Sequence, residues 1–124
     1  SSIKILICSG NKFSSSFFAK SINLPSLSLS SLIHNNYNYN STFGMLPSNL
    51  EVLICINNNL SHFPSKLPPN LKYINCSNNK ISFLPFEDLF NLEKLYCSNN
   101  RISSFNSLIN CKKLVYIEYL HNSI

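Results

Sequence analysis

The chain repeats itself with a fixed period, and that restricts its possible folds more than any other feature. Residues 71–85 read LKYINCSNNKISFLP, and residues 92–105, twenty-one positions on, read LEKLYCSNNRISSF. Both follow one template: apolar-x-x-apolar-x-apolar-x-x-Asn-x-apolar. Six windows fit it, starting at residues 3, 29, 50, 71, 92 and 114, so the spacings are 26, 21, 21, 21 and 22. In order, they begin Ile3-Leu6-Cys8-Asn11, Leu29-Leu32-His34-Tyr37, Leu50-Leu53-Cys55-Asn58, Leu71-Ile74-Cys76-Asn79, Leu92-Leu95-Cys97-Asn100 and Leu114-Ile117-Tyr119-Asn122. Only the second lacks the asparagine. Self-similarity at this period is the mark of a stacked repeat protein, in which each unit buries its apolar side against its neighbours.

Within each window the x-apolar-x-apolar-x segment alternates with period two, as a short strand does. The expectation is therefore six parallel strands stacked over a common core. The asparagine must turn inward where the chain bends after the strand, because its amide can satisfy backbone groups left without partners there. Asn11, Asn58, Asn79, Asn100 and Asn122 form the expected ladder, whereas the preceding residue, Asn78 for example, is expected to be neutral. Prolines 47, 64, 68, 69 and 85 fall between the strand windows, where a missing N–H is tolerated. A 21-residue unit leaves little room for a return helix, so extended or 3₁₀ segments are expected. The longer first unit, with SSSFFAKSINL, has room for a helical turn.

The cysteines obey the same register. Cys8, Cys55, Cys76 and Cys97 share one inward template position, and Cys111 matches Leu89 on the return side. Strands about 4.8 Å apart would bring Cys55, Cys76 and Cys97 into a column of parallel side chains, unsuited to the disulfide dihedral. Small reduced thiols packed as apolar groups are the reading favoured. His34 occupies the cysteine column in the second window, but ligands in a line do not make a tetrahedral zinc site, and C-x-x-C pairing is absent. No metal or other cofactor is expected. Free thiols point to a reducing intracellular compartment such as the cytoplasm.

The motifs resemble those of the leucine-rich repeat family over nearly the whole chain. LPSNLEVLICINNNLSHFP and LPPNLKYINCSNNKISFLP look like the short Leu-Pro repeats of bacterial secreted effectors, and ISSFNSLINCKKLVYIEYLHNSI looks closer to the 22-residue intracellular type. Cysteine at the third leucine position, followed by Ser-Asn-Asn, is similar to arrays from protists, bacteria and large DNA viruses. For a viral chain the setting would be the virion or host cytoplasm. The resemblance implies an α/β-type solenoid, mainly β: a curved right-handed array with its parallel sheet on the concave face. One such domain is expected over residues 1–124. The bare template ends at Ile3 and Ile124 give the further expectation of an excerpt from a longer chain, or of ends covered by another molecule.

Composition removes several functions. Net charge is +5, but the ten Lys and Arg are dispersed and only Lys112-Lys113 are adjacent, so no nucleic-acid stripe exists. No apolar run approaches the roughly 20 residues of a membrane span. The acids Glu51, Glu87, Asp88, Glu93 and Glu118 form no recognisable pair, and His34, His62 and His121 fit no nucleophile motif. Gly10 and Gly44 cannot build a phosphate loop. The expectation is a non-enzymatic protein.

Function then falls to the displayed face. The strand positions between the inward ones include Ile7, Ile33, Val52, Ile54 and Ile56, continued by Tyr73, Tyr96 and Tyr116. A solvated sheet face should be polar, so this apolar patch reads as a binding site for a protein partner. The alternative is a structural component or spacer of an ordered assembly, such as a virion or multi-protein particle. Self-association through the concave face or through uncapped ends fits either reading.

Overall fold

A computed structural model describes residues 5–7, 49–57, 59–63 and 66–124, with backbone only for the first of these segments. Five three-residue strands form one sheet in chain order: β1 (Ile5–Ile7), β2 (Val52–Ile54), β3 (Tyr73–Asn75), β4 (Lys94–Tyr96) and β5 (Tyr116–Glu118). All four pairings are parallel and in repeat register, so Leu6, Leu53, Ile74, Leu95 and Ile117 lie side by side. Each strand is the central x-apolar-x of its window. The middle residue of β2, β3 and β4 is buried, whereas its neighbours are half-buried or exposed.

The six-strand stack expected from the sequence needs one correction. β1 pairs directly with β2, the strand of the third window, so the described sheet has five strands with none from the second window between them. That window is the one without the asparagine, the residue that closes the turn elsewhere. Residues 29–39 themselves, with Ile33 and His34, lie outside the described residues, as do Cys8, Asn11, Asn58 and the SSSFFAKSINL segment.

The chain returns between strands in extended and turn conformations, with a single 3₁₀ turn at Asn106–Leu108 among the described residues. Pro68, Pro69 and Pro85 all lie on these returns. One core cluster fills the space between sheet and returns. Leu53, Cys55, Ile74, Cys76, Leu95 and Cys97 enter it from the strand side, with Leu84, Phe86, Leu89 and Cys111 opposite. Phe63 and Phe86 meet across neighbouring returns with ring centroids 5.5 Å apart.

A regular backbone feature follows each of β2 to β5. Asn57, Asn78 and Asn99 have φ of 59°, 61° and 60°, and His121 at the equivalent place has 56°. This left-handed conformation is costly for most residues but accessible to asparagine and histidine. The expectation that Asn78 is a neutral neighbour is thereby corrected. Asn78→Ala should lose about 1 kcal/mol in urea melts, because a Cβ-bearing side chain without a local hydrogen bond resists positive φ. Asn78→Gly should lose much less, because glycine enters this region freely.

Candidate protein-interaction face

The asparagine one position further on does different work. The Asn79 carboxamide Oδ1 accepts from the Leu60 N–H at 3.1 Å. Its Nδ2 donates to the carbonyls of Cys55 and Cys76, both at 2.9 Å, and more weakly to that of Ser77 at 3.2 Å. Asn100 repeats the pattern one unit later, accepting from Ile81 N–H at 3.0 Å and donating to the Cys76 and Cys97 carbonyls. Asn122 does so again, with Ile102 N–H at 2.9 Å and the Cys97 and Tyr119 carbonyls. Every amide thus closes its own turn and clamps the repeat before it. Among the described residues no buried side-chain nitrogen or oxygen lacks a partner.

Cys55, Cys76, Cys97 and Cys111 are buried free thiols. Cys76 is held far above its ordinary value by burial first and by the adjacent Cys55 and Cys97 second. Cys97 is pushed up to about 12 by burial and then by the Glu118 carboxylate. Cys111, whose Sγ donates to the Phe86 carbonyl at 3.6 Å, is also raised, mainly by burial. Cys76, Cys97 and Cys111 therefore stay protonated at neutral pH and are poor nucleophiles and metal ligands. Among the described residues no group of three or more His, Cys, Asp or Glu is placed to hold a metal ion.

The raised values have a consequence at high pH. A thiol whose folded pKa exceeds its unfolded one contributes its full stability below the unfolded value. That contribution is lost as the pH rises toward the folded value. Thermal stability should therefore decline from about pH 9 toward about 12, the window set by Cys97. The whole protein changes charge over that range, so the measurement is a difference between two forms. Cys97→Ala should show a shallower decline of melting temperature with pH than the wild type.

The face of the sheet turned away from the core carries the side chains between the buried ones. Val52, Ile54 and Ile56 are half-buried at one side of the described face. Toward β5 the face becomes aromatic. Tyr73 and Tyr96 have ring centroids 5.4 Å apart, and Tyr96 and Tyr116 5.2 Å, both tilted. The register pairs Tyr73 with Lys94 and Lys94 with Tyr116, whereas Tyr96 lies opposite Asn75 and Glu118. The three tyrosines therefore contact one another diagonally in a zigzag around Lys94. Such pairs add about 0.5–1.5 kcal/mol beyond area burial.

Polar groups on this face are tied together. Tyr116 Oη donates to Glu118 Oε2 and Ser98 Oγ donates to Glu118 Oε1, each at 3.3 Å. Ser98 Oγ also accepts from the Leu120 N–H at 3.1 Å. The Tyr116 phenol is raised by loss of surrounding solvent and then by Glu118. The role of Ser98 could not be read from the repeat, because the same template position holds Ile56, Ser77 and Leu120. Ile7 aligns with Ile54 in the register.

Short parallel strands in repeat register, joined by returns with little helix and closed by an internal asparagine ladder, define a repeat protein. The Leucine Rich Repeat family model matches residues 70–92 and 91–112, which supports assigning the chain to the leucine-rich repeat family. No curated protein and no solved structure matches the chain. Among the described residues no helix is long and apolar enough to cross a membrane.

Proposed function

We propose that this chain is a non-enzymatic protein-interaction module whose open sheet face, on the concave side of a curved array, grips a protein partner. The repeats form one domain in this reading, and the loops carry no chemistry of their own. One observation supports it above the others. Val52, Ile54 and Ile56 continue into the Tyr73–Tyr96–Tyr116 zigzag on the side of the sheet that does not face the core. A contiguous apolar and aromatic band is costly to leave in water and is typical of interaction surfaces.

The test compares three forms of the protein as bait: wild type, Ile54→Asp on the open face, and Ser103→Asp on a return segment. A partner retained by wild type and Ser103→Asp should be lost with Ile54→Asp. The melting temperature of Ile54→Asp should stay within a few degrees of wild type, because this side chain gives up little core. Equal retention by all three forms would remove the open face from consideration.

A further inference from the structure

The charges on the open face narrow the chemistry of what it binds; this step rests on the reading just proposed. Among the described strand residues and the strand-end positions 56, 77, 98 and 120, the face carries only two charges, Lys94 and Glu118. Glu118 is already engaged: Tyr116 donates to one carboxylate oxygen and Ser98 to the other. Lys94 is different. It is exposed at the centre of the tyrosine zigzag, and its ammonium makes no hydrogen bond or ion pair among the described residues. Lys94 lies between Tyr73 and Tyr116 in the register, with Tyr96 two residues on along its own strand, so a carboxylate brought to its ammonium would be partly shielded from water by the neighbouring phenols. The net charge of +5 attracts an acidic partner from further away.

We infer that the partner is a protein segment presenting an aspartate or glutamate to Lys94, with aliphatic side chains lying beside it on Val52, Ile54 and Ile56. A nucleic acid is the less suitable occupant. Its stacked bases would suit the tyrosines, but its backbone needs a row of cations, and this face offers one.

The inference is tested with three labelled 12-residue peptides of alternating leucine and serine whose two central residues are Asp, Ser or Lys. Binding is read by fluorescence anisotropy at low and at physiological salt. The Asp peptide should bind wild type about tenfold more tightly than the Ser peptide at low salt, the Lys peptide should bind least, and salt should narrow the gap. Lys94→Glu should reverse the order, whereas Tyr96→Ala should weaken all three peptides alike. An unchanged order in Lys94→Glu overturns the inference. So does tighter binding of a single-stranded oligothymidine than of the Asp peptide, or no peptide binding up to about 1 mM. If peptides bind Ile54→Asp as they bind wild type, the open-face reading fails as well. If Ile54→Asp abolishes binding but the charge order is absent, only the acidic partner is lost.

Discussion

Replacing Ile74 by aspartate is expected to leave the chain unfolded at neutral pH. Ile74 is fully buried at the middle of β3, with Leu53 on one side and Leu95 on the other. Losing the isoleucine from such a site costs about 2–5 kcal/mol through transfer and cavity terms. The carboxylate that replaces it finds no cation in a cluster of aliphatic, aromatic and thiol groups. Burying it charged, or protonating it to avoid that, adds several kcal/mol more. The sum rivals the whole stability of a typical domain, about 5–15 kcal/mol. Circular dichroism and a urea titration would show the loss directly. Ile74→Val, which removes one methylene, should cost only about 1 kcal/mol and stay folded. A folded Ile74→Asp protein would mean that β3 does not bury this side.

Asn79→Ala should be the next most damaging change. The substitution takes away the acceptor for the Leu60 N–H and one donor to each of the Cys55 and Cys76 carbonyls, all in buried surroundings, while Asn100 still donates to the Cys76 carbonyl. A buried group left unpaired costs about 1–3 kcal/mol, so the stranded Leu60 N–H together with the weakened carbonyl contacts should cost roughly 3 kcal/mol. Urea unfolding measures the total. Hydrogen exchange locates it, because the Leu60 amide should lose protection while amides around Asn100 keep theirs. Asn122→Ala should be milder, since two of that side chain's bonds are at exposed positions. Equal losses for Asn79→Ala and Asn78→Ala would deny the two asparagines their separate tasks.

Much of the architecture could be read from spacing alone, because a repeat protein states its contacts in its period. Once Leu53, Ile74, Leu95 and Ile117 are aligned in sequence, their adjacency in a parallel sheet follows. What the sequence hid was conformational or diagonal. Asn78 and Asn79 are the same residue type side by side, yet one is required by backbone dihedral and the other by its amide. Only the first of these roles depends on φ, which a pattern of apolar positions does not encode. The tyrosines were legible as displayed residues, but their ring contacts run between different template positions on neighbouring strands. A column-by-column reading separates them. The direct pairing of β1 with β2 was hidden for another reason: a degenerate window still aligns on its leucines.

The asparagine ladder also has a direction, which bears on how the chain is made. Leu60 N–H is satisfied by Asn79, Ile81 N–H by Asn100 and Ile102 N–H by Asn122, in each case by a residue that leaves the ribosome later. A newly emerged repeat therefore closes its own turn but leaves one backbone N–H just past it without a partner. It waits for the next repeat to deliver the amide, a delay of about one to four seconds at ordinary elongation rates of roughly 5–20 residues per second. Growth of the array resembles laying courses of brick, in which each course is locked by the one placed on it. A pause within a repeat would hold the preceding one unlocked, and such pauses are the moments when a chaperone or a protease would find it.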